Sequence, residues 1–185
     1  MLLVEPTALP DVKIIQPKRF GDHRGFLSET YSRSAFAEAG ITLDFVQDNH
    51  SLSAAVGTLR GLHFQAPPFA QDKLVRVPRG RILDVAVDIR ASSPDFGKFV
   101  AVELSAENWW QLLVPAGFAH GFVTLEPDTE VLYKVNAPYA PEHDRGVAFD
   151  DPAIGIDWGF APEALILSDK DRRHPRLADL PRYFA

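Results

Sequence analysis

The segment Arg60-Gly-Leu-His-Phe-Gln65 places a histidine on a predicted strand, and Lys73 begins the next strand. Because side chains alternate along a strand, Gly61 and Gln65 share the face of His63. A lone histidine on a strand is more often structural than catalytic. A His63–Lys73 pair that faced one cavity could, however, remove a proton beside a ketone and stabilise the resulting enolate oxygen.

Arg60 falls on the face opposite His63 if the alternation is strict. Two interpretations stay open. Arg60 either lies at the rim of the core or against a neighbouring subunit, or Gly61 marks a β-bulge that turns Arg60 toward His63.

A tyrosine and a second histidine also have two interpretations each. Tyr133 shares a face with Val131 and Val135, which is more typical of a core residue. Its hydroxyl could instead protonate a carbanion if it faced His63 across a cavity. His120 follows a Pro-Ala-Gly turn at the start of a strand, where it either faces solvent or lines the mouth of a barrel.

Polar residues nearer the N-terminus form two further groups. Gln47, Asn49 and Ser51 share one strand face, where amides either read the edge of a pyrimidine base or close a polar sheet edge. Arg24 and Glu29 flank a turn into a strand, and a plain surface ion pair is the commoner arrangement for such residues.

The composition restricts the class of protein. Of 185 residues, 46% are hydrophobic, which is enough for a full core, and none is cysteine. Disulfides, thiolate metal sites and cysteine nucleophiles are therefore excluded. The net charge of −6 without a Lys/Arg run argues against nucleic-acid binding, whereas single placed cations suit a small diphosphate. We find no signal peptide or membrane span in the sequence, and so expect a cytoplasmic protein.

These side chains must be positioned by strands, and we predict an all-β fold: a jelly-roll barrel with a few short helices. Residues 1–185 would form a single domain with an irregular tail after Ser168. Arg81–Arg90 alternates, with Leu83, Val85, Val87 and Ile89 on one face and Ile82, Asp84, Ala86 and Asp88 on the other. Such two-sided strands suit a barrel whose interior carries a few polar groups around a ligand. The other expected elements are a helix at Ser34–Ala39, capped by a serine and ended by Gly40, and strands at Lys73–Val77, Gly97–Leu104, Gln111–Val114, Gly121–Leu125 and Glu130–Val135.

A metal site is weighed because jelly-roll barrels often bind a metal through several histidines and a carboxylate. Position 65 is glutamine, so His63 and His120 are the candidates on barrel strands, and two scattered imidazoles do not make a first shell. We therefore predict no metal. The sequence also has no G-x-G-x-x-G, P-loop or G-x-S-x-G motif, so a nucleotide cofactor is not predicted.

Taken in order, these motifs resemble the dTDP-4-dehydrorhamnose 3,5-epimerase family from about Phe20 to about Pro175. Any one motif could arise by chance, but the ordered set is specific. The set is Asp22-His-Arg-Gly25, Gln47-Asp-Asn49, Leu59-Arg-Gly-Leu-His63, Lys73-Leu-Val75, Asp84–Arg90, Pro115–Gly121, Tyr133-Lys134, Asp151-Pro152 and Ser168-Asp-Lys-Asp171.

The resemblance implies a cupin-like jelly roll, a homodimer and no metal or organic cofactor. It implies dTDP-4-dehydro-6-deoxy-D-glucose as the substrate and a product that feeds dTDP-L-rhamnose synthesis. His63 would be the base at C3 and C5 of the sugar, oriented by Asp171, with Tyr133 as the acid and Lys73 beside the C4 oxygen. The implied nucleotide and sugar contacts are Arg24, Glu29, Gln47, Asp48, Asn49, Arg60, His120, Asp144 and Lys170, with Tyr139 stacking on thymine. The family often has Glu where this chain has Asp144.

Three other functions stay open at this point. A related enzyme could invert a single carbon or isomerise a keto sugar, and the intact Tyr133 and nucleotide motifs favour the double epimerase over it. A non-catalytic sugar-binding jelly roll would use His63 and Lys73 only as ligand contacts. A metal-dependent cupin enzyme is the third.

Overall fold

The computed structural model describes residues 2–185 and contains a single short α-helix and thirteen strands within them. The strands are β1 (Leu3–Pro6), β2 (Lys13–Gln16), β3 (Arg19–Asp22), β4 (Gly25–Ser28), β5 (Gln47–Ser53), β6 (Leu59–Gln65), β7 (Lys73–Arg79), β8 (Arg81–Asp88), β9 (Phe99–Ser105), β10 (Gln111–Val114), β11 (Phe118–Thr124), β12 (Thr129–Val135) and β13 (Asp144–Gly146). The helix α1 spans Arg33–Glu38, and short 3₁₀ helices occur at Pro141–His143, Pro162–Ala164, Asp171–Arg173 and Leu177–Asp179.

The strands form two antiparallel sheets in a jelly-roll arrangement, as predicted. One sheet has the order β1-β2-β10-β7-β12-β5, and the other has the order β13-β6-β11-β8-β9. The hairpin of β3 and β4 stands apart as a two-stranded sheet. Among residues 2–185, no helix is long and apolar enough to cross a membrane.

Strand β8 confirms the predicted two-sided pattern. Ile82 and Ala86 belong to the core between the two sheets. Val85 and Val87 belong to a second core on the other face of the five-stranded sheet. A central strand that buries both faces explains why its sequence is apolar on both alternating sets of positions.

The second core is completed by the C-terminal segment, residues 147–185, which lies against that outer face. Its buried anchors include Trp158, Leu165 and Leu177. The Asp151 carboxylate accepts a hydrogen bond of 2.7 Å from the backbone N–H of Leu177. The predicted irregular tail is therefore irregular in secondary structure, yet fixed in place by apolar burial.

Several predicted boundaries were wrong by a few residues. The helix begins at Arg33 rather than Ser34, because the Ser32 hydroxyl caps it by accepting from the Ala35 N–H. Strand β9 begins at Phe99 rather than Gly97, because Gly97 has a φ of 78° and belongs to the preceding turn. Strand β11 begins at Phe118, three residues before the predicted start.

A β-bulge interrupts the pairing of β6 with β11. His120 pairs with His63 and Phe122 pairs with Arg60, so three steps along β6 match two steps along β11. Gly61 lies at the extra position with a φ of 137°, and a Cβ atom there would lie 2.5 Å from the Gly121 Cα. The bulge therefore depends on two glycines in direct contact, and it resets the alternation of β6.

Candidate active site

A cavity of about 460 Å³ lies where both sheets and the C-terminal segment meet. We call it the central cavity. Most of the residues that line it are polar, and they include all four predicted catalytic residues. The residues are Ser51, Thr58, Leu59, Arg60, His63, Lys73, His120, Phe122, Tyr133, Ile166, Leu167, Ser168, Lys170 and Asp171.

His63 and Asp171 form a dyad at this cavity. The Nε2 atom of His63 lies 2.6 Å from Oδ1 of Asp171. Because a carboxylate accepts, Nε2 carries the N–H and Nδ1 keeps its lone pair. Burial lowers the pKa of His63 more than the Asp171 charge raises it, so the imidazole is neutral at neutral pH. This is the protonation state that a general base requires.

A second imidazole, that of His174, lies beside Asp171 and was missed by the sequence analysis. Burial alone would raise the pKa of the Asp171 carboxyl, but interactions with His174 and His63 outweigh it and hold that pKa well below its usual value. His174 Nε2 lies 3.4 Å from Asp171 Oδ1. The sequence carried no simple signal for this contact, because it depends on the short 3₁₀ helix Asp171–Arg173, which His174 directly follows.

Lys73 begins β7 and is buried beside the dyad. Its Nζ donates to the backbone oxygen of His63 at 3.3 Å. Burial lowers its pKa to about 8, although the negative charges of Asp144 and Asp84 act in the opposite direction. Lys73 is therefore charged at neutral pH and loses its proton as the pH rises through about 8.

Tyr133 lies on β12, opposite Asn49 of β5, and its side chain reaches the central cavity. Burial raises the pKa of its phenol, and the nearby Arg60 charge offsets this only in part. The hydroxyl therefore keeps its proton at neutral pH and can act as a donor. The core interpretation is also partly correct, because the ring packs against the core between the sheets.

Arg60 reaches the same cavity as His63, which confirms the bulge interpretation. Its Nε donates to Ser53 Oγ at 3.1 Å, and a terminal nitrogen donates to the Leu52 oxygen at 3.2 Å. These two bonds fix the guanidinium against β5. They leave a positive charge at the cavity wall.

His120 is buried and does not face solvent, so that alternative was wrong. Its Nε2 lies 2.6 Å from Oδ1 of Asp84. The alternation placed Asp84 on the same face of β8 as Ile82 and Ala86, but Asp84 was not identified as a site residue. Its second oxygen has no hydrogen-bond partner within residues 2–185, and its charge raises the pKa of Lys73.

The chain is similar to known proteins along nearly its whole length. Residues 6–179 match the sequence profile of the family described as dTDP-4-dehydrorhamnose 3,5-epimerase. The chain belongs to this family. It is 55% identical over 177 residues to the dTDP-4-dehydrorhamnose 3,5-epimerase of Sinorhizobium fredii, an alignment that covers 96% of this chain and 90% of that protein. Like its relatives, the protein is an isomerase.

Two solved structures are similar along nearly the whole chain. The dTDP-4-dehydrorhamnose 3,5-epimerase of Bacillus anthracis, with TDP and pyrophosphate bound, has a TM-score of 0.92 and 49% identity and covers 95% of this chain and 99% of its own. The Legionella pneumophila 3,5-epimerase in complex with dTDP-4-keto-L-rhamnose has a TM-score of 0.93 and 43% identity and covers 100% of both chains.

The rim of the epimerase cavity carries a second polar group. Asp144 pairs with the Lys170 ammonium and accepts from the Tyr139 hydroxyl at 3.1 Å. Gln47 donates to Asn49 at 2.8 Å and accepts from the backbone N–H of Tyr139 at 3.0 Å. The Tyr139 ring remains 57% exposed, so its face is available to a stacking partner.

Three other residues that were predicted to contact the substrate do not line the central cavity of their own chain. Arg24 pairs with Asp22 at 2.6 Å, not with Glu29, and its side chain is 78% exposed. Glu29 lines a separate cavity of about 540 Å³ between the N-terminal strands and α1. Asp48 forms an ion pair of 3.1 Å with Lys134.

Gln65 shares the face of His63 in the strand pattern but has a structural role in the epimerase. Its amide donates to the backbone oxygens of Phe69 and Pro138 and accepts from the Ala140 N–H at 2.8 Å. Gln65 therefore ties together two loops at the end of β6.

The dyad predicts the effect of Asp171→Asn. An amide no longer fixes the His63 tautomer or supplies a negative charge, so we expect kcat to fall by about 10²–10⁴-fold with little change in KM. The pKa of His63 should fall further, because Asp171 raises it in the native protein. The acidic limb of the pH profile should accordingly move to lower pH. Steady-state kinetics across the acidic range measures both effects.

Asp169→Asn is the matched control, because Asp169 is an exposed carboxylate two residues away. It should retain native kinetics. An Asp171→Asn enzyme with more than about a tenth of the native kcat and an unmoved acidic limb would contradict the orienting role.

Proposed function

We propose that the protein converts dTDP-4-dehydro-6-deoxy-D-glucose to dTDP-4-dehydro-L-rhamnose by inverting C3 and C5. The observation that carries the proposal is that His63, Lys73 and Tyr133 line one cavity. These are a base, a cation and an acid. Around them lie the cations Arg60 and Lys170, which suit a diphosphate.

The chemistry follows from the C4 ketone of the substrate. A ketone acidifies the C–H bonds on both neighbouring carbons, so neutral His63 takes the proton from C3 or C5 and the electron pair moves onto the C4 oxygen. The ammonium of Lys73 stabilises that enolate oxygen. Tyr133 then delivers a proton to the opposite face of the same carbon, and the ketone re-forms with inverted configuration.

Each group is in the protonation state that its role requires. Burial keeps the His63 imidazole neutral and the Tyr133 phenol protonated. Lys73, with its pKa of about 8, is still charged at neutral pH. The reaction moves protons only, so the balance is restored when the His63 imidazolium and the Tyr133 phenolate exchange protons with water.

The direct experiment is turnover of dTDP-4-dehydro-6-deoxyglucose in deuterated water, followed by NMR. We expect deuterium at both C3 and C5, because each inversion replaces a carbon-bound proton with one from solvent. His63→Ala should abolish exchange while dTDP still binds. Exchange at a single carbon would show a mono-epimerase, and tight sugar binding without any exchange would show a binding protein.

Tyr133→Phe separates the acid from the base. His63 can still remove and return a proton on its own face, so we expect exchange to continue while net inversion slows by at least about 100-fold. The ratio of deuterium incorporation to inverted product, measured by NMR on the same sample, gives the comparison. Equal loss of the two rates would count against the acid role of Tyr133.

The two shifted pKa values predict a bell-shaped pH dependence of kcat/KM. Activity should rise as His63 loses its proton, below that group's ordinary value of 6.5. It should fall as pH increases through about 8, because Lys73 then loses the charge that stabilises the enolate. The measurement is the pH–rate profile from about pH 5 to about pH 10.

Lys73→Arg tests which group sets the alkaline limb. A guanidinium stays charged throughout this range, so the alkaline limb of this variant should move upward relative to its own maximum. Lys98→Arg is the control, because Lys98 lies on the surface in an ion pair with Asp95. An alkaline limb unchanged in Lys73→Arg would assign it to another group.

A homodimer belongs to the same proposal. Arg24 and Glu29 match nucleotide contacts of the family, yet they lie away from the central cavity of their own chain. The hairpin that carries Arg24 also exposes Phe20, Phe26 and Leu27, the last to 70%. Exposed apolar groups of this size favour a surface that another chain covers. A second copy would cover them and bring Arg24 to the partner's cavity.

Subunit complementation tests this arrangement. His63→Ala and Arg24→Ala should each be nearly inactive alone, but a refolded equimolar mixture contains hybrid dimers with one fully native site. Recovery of about a quarter of the native activity is expected, since half of the dimers are hybrids with one active site of two. No recovery in a mixture that light scattering shows to be dimeric would place Arg24 in the site of its own chain.

A further inference from the structure

Three potential ligand atoms converge beside the central cavity. Asp171 Oδ1 lies 2.6 Å from His63 Nε2 and 3.4 Å from His174 Nε2. The donor atoms of the three residues all lie within 4.8 Å of one another. Two imidazoles and one carboxylate form a common ligand set for zinc, with a fourth position left for water. We call these residues the dyad-edge cluster.

His174 is built into this position. Its side chain is only 9% exposed, and its Nε2 has no hydrogen-bond partner among the described residues. The ring lies directly over Gly146, where a Cβ atom would come within 2.4 Å of that nitrogen. A buried imidazole nitrogen without a partner, next to a carboxylate that already binds another imidazole, is an unsatisfied donor atom that a bound ion would complete.

We propose that the dyad-edge cluster binds one Zn²⁺ ion and that this binding inhibits the enzyme. In tetrahedral zinc sites the ligands lie about 2.0–2.2 Å from the metal, which places them about 3.3–3.6 Å apart. Two of the present separations are 2.6 and 3.4 Å and the third is at most 4.8 Å, so rotations of the three side chains would bring the donor atoms to that spacing. His63 and Asp171 both line the central cavity, which gives the ion a path from solvent.

The inhibitory effect rests on the proposed function. The ion would replace the proton that His63 Nε2 shares with Asp171. A neutral imidazole coordinated through Nε2 carries its one proton on Nδ1, which is the nitrogen that must be unprotonated to act as the base. The metal also withdraws Asp171 from its orienting role. Bound zinc therefore removes the base without displacing the residues that line the nucleotide-binding rim.

The ligand set also determines which metals compete. Imidazole nitrogens suit Zn²⁺, Co²⁺ and Ni²⁺, whereas Mg²⁺ and Ca²⁺ prefer an all-oxygen shell. Mg²⁺ and Ca²⁺ should accordingly leave the cluster unoccupied. The sequence analysis predicted no first shell because it counted only histidines on barrel strands, and His174 lies in the C-terminal segment beyond them.

Binding is tested first, without substrate. The metal-stripped enzyme is titrated with ZnCl₂ by calorimetry and with CoCl₂ by visible absorption, which reports the coordination of cobalt directly. We expect one ion per chain with a dissociation constant below about 100 μM. His174→Ala and His174→Gln should each weaken binding at least tenfold, because each removes one of the three ligands. His174→Gln also keeps most of the side-chain volume of the histidine. His50→Ala is the control, because His50 forms a surface pair with Glu130.

Inhibition is tested second, with each variant's activity expressed relative to its own metal-free rate. Native enzyme and His50→Ala should lose turnover at the zinc concentrations that saturate the site, and His174→Gln should need at least about tenfold more. MgCl₂ is the negative control. No binding by native enzyme, or equal affinity in His174→Gln, would overturn the site. Zinc bound at the cluster with full turnover would overturn the inhibition.

The two experiments separate this proposal from the proposed function. The titrations need no substrate, so an inactive native enzyme would refute the epimerase reaction while leaving the zinc site open to the same test. An active enzyme that binds no zinc would support the epimerase reaction and refute the zinc site.

Discussion

The hydrogen bond between His63 and Asp171 is the interaction on which the rest of the site depends. It joins residues 108 positions apart and sets which imidazole nitrogen can accept a proton. Asp171 belongs to a segment that contributes no strand to either main sheet. That segment is held by Trp158, Leu165 and Leu177 on the outer face of the five-stranded sheet. The position of Asp171 beside the cavity therefore depends on apolar packing on the opposite face of the same sheet.

Charge balance is the second constraint. Lys73, Asp84 and Asp171 are all buried, although an unpaired charge in that position is costly. The cost is reduced because charges of opposite sign share the cavity region: Asp84 and Asp144 both favour the charged form of Lys73. This arrangement lets a protein with a net charge of −6 present cations to an anionic ligand. It also leaves the pKa of Lys73 at about 8, so the charge of Lys73 changes with pH just above neutrality.

The sequence predicted the fold because strand alternation is a local signal, and the candidate residues His63, Lys73 and Tyr133 do line one cavity. The faces of β8 could be assigned from its own residues. The face on which Arg60 lies could not be assigned in this way, because it depends on how β6 pairs with β11 and on the contact of Gly61 with Gly121. Asp84 and His174 were missed for a similar reason. Their partners, His120 and Asp171, lie on other elements or in a turn whose 3₁₀ conformation no simple pattern predicts.

His174 shows that the needs of a base and of a metal ligand overlap in this chain. A second imidazole beside Asp171 helps to keep that carboxylate ionised, which strengthens the orientation of His63. The same placement puts three donor atoms around one point. The same three side chains therefore suit either proton transfer or metal binding, depending on whether a proton or a metal ion lies between them. A proton there leaves His63 Nδ1 free to act, and a metal ion there does not.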